Sequence, residues 1–446
     1  MKASEKFLLV TAVAAIAVAV TSQEMTRSIY HGLHSTLHVY LGGIGFVLFM
    51  VACALALAAV EKFRNVLLKL FLWVFFFYNI SLLIRGGGLA HPVPLWIRAA
   101  GSLAVVVLFL VVYIRVGSNG WRKIATAIAV SSAIFTISPV LISWAAPSGP
   151  ARTIALDLVR TGDIHNYLVI ILDETSPEYT TGMVRDLARM GLHVKSAEVA
   201  AAGTNTLNAI PSMLSTSRHD DIAPCTWTAL CGTRNFKFGA LNADWTKTDI
   251  VGFFHPYCAI RGLRSCSREE SVFADSSSIH FGLFTLWCGQ FNRGGVFSFC
   301  RNGLHDAVAL DRARNNMTQH VDQAPFWQEG GLLFVHFPLP HPSMTRAFPS
   351  LKVEYEGNVA EAERMISRLS SRMMSTFGAD FTLVITSDHP LRTERWCASP
   401  IYAKPGCAAS FPVNRGRVPF ILASPKPINV AIPATNVGML SFSQPN

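Results

Sequence analysis

Five short polar stretches, far apart in the chain, carry residue types that together could assemble a metal-assisted phosphoryl-transfer site. They are Asp173-Glu174-Thr175, Gly203-Thr204-Asn205-Thr206, His336, His341 and Ser387-Asp388-His389. Glu174 and Asp388 with the imidazole of His389 form a mixed oxygen and nitrogen set suited to Zn2+ or Mn2+. Three protein ligands leave a further position for a reacting group. The second stretch runs from small polar residues into a helix-like segment ending near Leu214. A helix start offers free N–H groups and the positive end of the dipole to a phosphate. A threonine hydroxyl in that turn has the chemistry to join the metal, lose its proton and attack phosphorus.

Each stretch alone has a plainer explanation. Asp-Glu at a strand end is usually a solvated loop start, Gly-Thr-Asn-Thr an N-cap, His336 a satisfied core histidine and Asp388-His389 an ordinary turn. What joins them is placement, because three of them end strongly apolar runs, at 167–174, 331–336 and 381–389. In an open α/β sheet, ligands bind outside the carboxyl ends of the strands, so three such runs deliver acidic and imidazole groups to one crevice. Two more buried strands are expected at 249–254 and 418–423. The 354–377 segment predicts a long helix with Val359, Met365, Ile366, Leu369 and Met373 on its apolar face. The span 224–328, rich in cysteine and aromatics, has weak periodicity and predicts disulfide-stapled loops over the site.

Composition divides the 446 residues in two. Residues 1–149 hold 11 Lys+Arg against 3 Asp+Glu, whereas 150–446 hold 27 against 25. The net charge of +10 therefore belongs mostly to the first third. The remainder has no basic stripe, which argues against a nucleic-acid partner. Five apolar segments, 7–21, 39–60, 66–84, 95–116 and 124–145, are long enough or nearly so to span a bilayer. The first is short and follows Lys2 and Lys6, as a signal peptide's apolar core would, but no small-residue cleavage site follows it. With the N-terminus inside, Lys2, Lys6, Lys62, Arg64, Arg115, Arg122 and Lys123 face the cytoplasm and only Arg27 and Arg85 face out, as the positive-inside bias requires. Five spans then put everything after about residue 146 outside the cytoplasm.

Cysteine usage agrees with an oxidising compartment. Of nine cysteines, Cys53 lies in an apolar span and eight lie beyond residue 150. Their spacing invites four local bridges, 225 to 231, 258 to 266, 288 to 300 and 397 to 407. A structural zinc site is the rival, disfavoured because no pair has C-x2-C spacing.

The order of these motifs resembles the alkaline phosphatase superfamily, and within it the membrane-anchored phosphoethanolamine transferases, with lipoteichoic acid synthases as relatives. The family's strand-end Gly-Glu-Thr is similar to Asp173-Glu174-Thr175, which implies Glu174 as the metal ligand. Its nucleophile loop is similar to Ala202-Gly203-Thr204-Asn205-Thr206 followed by Pro211-Ser212-Met213-Leu214-Ser215, which implies Thr206 rather than Thr204 as nucleophile. His336 with His341 and Ser387-Asp388-His389 match its remaining motifs. Three departures stand out. Ala202 and Ser212 occupy the places of the family's loop disulfide. Pro390-Leu391-Arg392 replaces Gly-Glu-Ser. No histidine follows within 30 residues of His389. One metal ion, rather than two, fits these residues better. The family's basic substrate-binding stretch is only loosely echoed at 255–261, by His255 and Arg261.

The resemblance implies a five-span α-helical transmembrane domain over 1–145, a linker over 146–165 and an α/β alkaline phosphatase-like (sulfatase-like) sandwich over 166–446. It implies an inner-membrane, multi-pass enzyme with a periplasmic catalytic domain. Thr206 would attack a phospholipid, phosphatidylethanolamine as the implied donor, and pass phosphoethanolamine to a glycan or lipid hydroxyl. Glu174, Thr206, Asp388 and His389 would bind one Zn2+ or Mn2+. His341, with His336 as second choice, would carry protons, and Asn205, His336, His255 and Arg261 would contact substrate. Competing readings are a phosphoglycerol transferase, a phosphodiesterase or sulfatase-type hydrolase, and a non-catalytic envelope protein of the same fold.

Overall fold

The computed structural model describes residues 166–240, 247–269, 307–342, 349–398, 402–413 and 415–439, together with Tyr30, Leu48 and Ala52. The chain divides into two compact units. Of the first, only Leu48 and Ala52 are described, both helical and exposed. The second unit comprises Tyr30–His34, Ser148–Asp275 and Gly303–Asn446. Apart from Leu48 and Ala52 in the 39–60 segment, the five expected spans, the linker and the pairing of Cys288 with Cys300 lie outside the described residues. No described helix is long and apolar enough to cross a membrane.

The second unit is built on a mixed sheet. In chain order its elements are β1 (Asn166–Leu172), α1 (Thr181–Arg189), β2 (His193–Ala200), α2 (Thr206–Leu214), the short strands β3 (Ala223–Pro224), β4 (Ala229–Cys231) and β5 (Phe236–Lys237), β6 (Thr248–Phe253), β7 (Ser265–Glu269), α3 (Ala307–Gln323), α4 (Phe326–Glu329), β8 (Gly331–Phe337), α5 (Leu351–Phe377), β9 (Thr382–Ser387), α6 (Thr393–Cys397) and β10 (Arg417–Ser424). Seven strands form one sheet in the order β2-β10-β9-β1-β8-β6-β7. The run from β9 to β7 is parallel, while β10 is antiparallel to both of its neighbours.

The central strands are covered on both faces, so they are apolar without alternation. Every residue of β1 is buried. Leu168, Ile170 and Leu172 face the layer of α1, α3 and α5, whereas Tyr167, Val169 and Ile171 face Ile210, Met213 and Leu214 of α2. Helix α5 starts at Ser350, whose hydroxyl accepts from Val353 N at 3.3 Å, and ends before Gly378 at φ 59°. All five residues expected on its apolar face are buried.

Three of the expected bridges, Cys225–Cys231, Cys258–Cys266 and Cys397–Cys407, are present. The expectation of loops across 224–328 is too simple. Between its strands and stapled turns this span also contributes β7 and all of α3. Strand β7, Ser265–Glu269, carries no aliphatic residue and pairs only with β6 at the sheet edge, so no apolar run announces it.

Candidate active site

Register brings the polar groups together. Leu172 pairs with both Phe337 of β8 and Ser387 of β9, so Asp173 and Asp388 emerge one step beyond, at the same level of the sheet's carboxyl edge. Backbone bonds from Asp388 N to Leu172 O (3.1 Å) and from Asp173 N to Leu339 O (2.8 Å) hold both strand ends. From the other side the 201–205 turn leads into α2. Asn205 caps that helix by accepting from Asn208 N at 3.1 Å. Gly203 lies so close to it that an added Cβ would sit 2.6 Å from Ala209 N, which only glycine avoids. Thr206, the first helical residue, is thereby buried against the strand ends, while Thr204 is exposed.

Asp173, Asp388 and His389 form the cluster of potential metal ligands, their ligand atoms within 4.8 Å of one another. His389 Nδ1 donates to Pro390 O at 3.1 Å, which leaves Nε2 as a bare lone pair. That nitrogen is 3.4 Å from Asp388 Oδ2, 3.7 Å from Asp173 Oδ1 and 3.3 Å from Thr206 Oγ1. Neither of those two carboxylate oxygens has a hydrogen-bond partner among the described residues. Three electron-rich atoms turned toward one another in a buried place could hold a cation between them. A ligating histidine whose other nitrogen is pinned to a carbonyl is the usual arrangement at metal centres.

Without an ion the electrostatics are unfavourable. Burial first, then Asp388 and Glu174, raise the pKa of Asp173 well above the carboxylate range. Burial raises Asp388 to about 7, against the lowering effect of the Thr206 hydroxyl. Burial and then Arg392 hold His389 near 4, so it stays neutral and ready to ligate. A bound divalent cation would favour the ionised forms of Asp173 and Asp388 that burial alone disfavours.

Glu174 departs from expectation. Its carboxylate is held by Arg392, through Nε and Nη2, and by Trp396 Nε1 of α6, and it is absent from the ligand cluster. The cause is local. Asp388 Oδ1 accepts from Glu174 N at 3.1 Å, and the chain turns there through a left-handed φ of 63°, which sends the side chains of Asp173 and Glu174 apart. Asp173 takes the place expected for Glu174. The adjacent carboxylate in the same pair was the available sequence signal, and strand-end spacing alone does not choose between neighbours.

His255 also differs. Its Nε2 donates to Thr206 O at 2.9 Å and its Nδ1 lies 2.8 Å from the Tyr30 hydroxyl, so both nitrogens are engaged and the ring braces the start of α2. Burial lowers its pKa to about 3. His336 is fully buried, with Nδ1 2.9 Å from Tyr257 Oη and Nε2 without a hydrogen-bond partner among the described residues. Burial, then His255 and His389, lower its pKa well below the usual value. His341 donates from Nδ1 to Pro342 O at 2.8 Å and packs edge-on against Trp396, ring centroids 5.0 Å apart. Arg314 and Asn358 hold its carbonyl at 3.0 and 3.2 Å. Arg261 is exposed on the approach to β7. Asn205 is committed to the cap through its oxygen. Arg392, Trp396 and Tyr257 were not anticipated as site residues; of these only Arg392 left a trace in the sequence, as a departure from the motif.

No protein-family model and no curated protein matches the sequence. Among solved structures, the chain is similar to the integral membrane lipooligosaccharide phosphoethanolamine transferase A of Neisseria meningitidis. The identity is 13%, over 94% of this chain and 88% of that one, with a TM-score of 0.34. It is similar to a lipoteichoic acid synthase of Listeria monocytogenes at 12% identity, 65% and 71% coverage and TM-score 0.34. It is similar to a phosphonate monoester hydrolase of Agrobacterium radiobacter at 10% identity, 58% and 68% coverage and TM-score 0.33. Similarities this distant describe layout and carry nothing about activity.

Proposed function

We propose that this chain is a metal-dependent phosphotransferase of the inner membrane, with its catalytic domain in the periplasm. It would take phosphoethanolamine from a membrane phospholipid and deliver it to an envelope glycan or lipid hydroxyl. One observation carries the reading: the Thr206 hydroxyl, at the first position of a helix, is buried beside Asp173, Asp388 and His389 at the carboxyl ends of β1 and β9. Asp173, Asp388 and His389 would hold the ion, with Thr206 beside it. When bound, Zn2+ or Mn2+ supplies Lewis acidity toward a phosphoryl oxygen.

The residues divide the work as follows. Thr206 Oγ1 attacks phosphorus, the bond to diacylglycerol breaks, and a phosphothreonine ester forms; the acceptor hydroxyl then displaces Thr206. The dipole of α2 favours the negative charge gathered at its start. His341 keeps its Nδ1 proton on Pro342 O, so Nε2 is the nitrogen that exchanges protons with the leaving and entering alcohols. His255 holds the Thr206 carbonyl, and Arg392 with Trp396 holds Glu174 out of the ligand set. The apolar segments within 1–145 suit a lipid donor, because a site tethered at the membrane meets its substrate there.

Mass spectrometry of Thr206 after incubation with labelled phospholipids tests this. Phosphoethanolamine on Thr206, discharged by an added acceptor, is the expected result. A phosphoglycerol adduct would move the donor to that head group, and product formation with no adduct on Thr206 would remove the covalent route.

A further inference from the structure

The turn that presents Thr206 has no covalent tie, since Ala202 and Ser212 flank it. Both positions are nevertheless fastened, and to the same segment. Beyond β10 the chain returns alongside the end of β2. Ala200 N donates to Ala434 O at 2.9 Å, and Ala200 and Thr435 form a parallel bridge. The segment then inserts Asn436, which is fully buried. Asn436 Oδ1 accepts from Ala202 N at 2.6 Å, and Asn436 Nδ2 donates to Ser387 O at 2.8 Å. Two residues later Gly438 N donates to Ser212 O at 2.8 Å.

Thus one side-chain amide joins the turn before Thr206 to the strand end before Asp388 and His389. An amide is suited to this, because it presents an acceptor and a donor in one plane to two backbone groups of opposite polarity. Both partners belong to buried residues, where a backbone polar group left unpaired is costly.

We propose that Asn436 is a positioning residue that fixes the distance between the Thr206 turn and the Asp388-His389 ligand pair, setting metal affinity and the rate of phosphoryl transfer. The metal and exchange measurements below stand apart from the phosphotransfer reading, on which only the turnover measurement rests.

The experiment uses the full-length protein in detergent, with Zn2+ affinity measured by chelator competition, amide hydrogen exchange over 201–206, and phospholipid turnover. Asn436→Ala is expected to weaken Zn2+ binding about 10- to 100-fold, the range for partners that orient ligands. It should speed exchange at 201–206 and lower kcat while KM changes less than about two-fold. Asn436→Asp keeps the acceptor for Ala202 N and loses the donor to Ser387 O, so it should fall between Ala and wild type. Thr435→Val removes a 3.0 Å bond from the same segment to Ala200 O and should leave Zn2+ affinity unchanged. If Asn436→Ala does not fold, Asn436→Asp decides. Wild-type Zn2+ affinity and exchange in the Asn436 variants, or equal losses in Thr435→Val, overturn the proposal. A wild-type protein that binds neither Zn2+ nor Mn2+ defeats the phosphotransfer reading instead, and exchange at 201–206 still judges Asn436.

Discussion

The two ends of the central parallel strands bury carboxylates under opposite rules. At the amino end of β6 and β8, Asp249 is fully buried and fully partnered. Arg264 donates to it from Nε at 3.0 Å and also from Nη2, and Ser265 Oγ donates at 2.8 Å. Arg264 continues to Gly330 O and Glu329, closing the network. At the carboxyl end of β1 and β9, Asp173 and Asp388 are equally buried, yet each keeps an oxygen without a hydrogen bond among the described residues. Burying an unpaired charge is costly enough that a fold keeps it only where something else completes it. The complete end is scaffold, and the incomplete end is where a ligand is needed.

The largest expected effect tests whether the incomplete end is catalytic at all. Thr206→Ala should lower transfer by about 10^4-fold or more, as loss of a nucleophile does, with folding and metal content unchanged. Thr206→Ser should keep partial activity because the hydroxyl remains. Thr204→Ala, at an exposed position, should keep a measurable rate. Activity of Thr206→Ala near wild type, followed with labelled phospholipid, would leave the cluster without a covalent role.

Next comes the choice between adjacent carboxylates. Asp173→Asn and Asp388→Asn should each weaken metal binding more than about 100-fold, beyond the range for groups that only orient ligands. Glu174→Gln, whose carboxylate is already claimed by Arg392 and Trp396, should weaken it by about 10-fold or less. Metal content of the purified variants by elemental analysis reads this directly. Complete metal loss in Glu174→Gln with full retention in Asp173→Asn would return the ligand role to Glu174.

Stability of the metal-free protein sharpens the contrast further, because the two ends should respond with opposite sign. Asp249→Asn breaks a buried pair and leaves Arg264 only Gly330 O and the exposed Glu329, an expected loss of about 3–5 kcal/mol. Asp388→Asn removes a buried carboxylate whose Oδ2 has no hydrogen bond among the described residues, keeps an acceptor for Glu174 N and His389 N, and adds donors facing Asp173 Oδ1, an expected gain of about 1–3 kcal/mol. Urea unfolding in a chelator measures both. A loss at Asp388 comparable to that at Asp249 would mean that the carboxyl end is as well satisfied as the amino end.

The sequence disclosed elements whose burial is uniform and withheld those whose burial is partial. Strands β1, β6, β8, β9 and β10 lie in the middle of the sheet, are covered on both faces, and showed as continuous apolar runs. Strand β2, with only Val199 buried, is an edge strand carrying Lys195 and Glu198, and it showed no run at all. The site followed the same division. Asp388 and His389 stood out because they end such a run and Thr206 because it opens a helix after a small polar turn, and the structure places the three side by side. Asp173 rather than its neighbour Glu174 lies in the cluster because a single left-handed residue decides which of the two turns toward it, and nothing in residue type announces a positive φ at glutamate. The engagement of both His255 nitrogens could not be read from the sequence because its partners, Tyr30 and the Thr206 carbonyl, are distant in the chain. Asn436 left no trace, since a buried amide in a Pro-rich segment resembles any loop residue until its two partners are known.

The smallest expected effect extends the comparison to the surface. Asp322 at the end of α3 accepts from Arg368 Nη1 at 2.8 Å and from Arg372 Nη1 at 3.0 Å, a denser set of ion pairs than Asp249 has. Counting contacts would rank it first. Its side chain is 35% exposed, however, with Arg368 at 43% and Arg372 at 34%, so water and salt already screen the charges. Arg372 also lies 4.0 Å over the Trp327 ring, a contact that does not depend on Asp322. Asp322→Asn should therefore cost about 1 kcal/mol or less, and the cost should shrink in 1 M salt, where the Debye length is about 3 Å. Urea unfolding at low and high salt checks both statements. A loss equal to that of Asp249→Asn, unchanged by salt, would show that the number of partners rather than exclusion of water separates scaffold charges from surface ones, and the contrast between the two strand ends would then lose its physical basis.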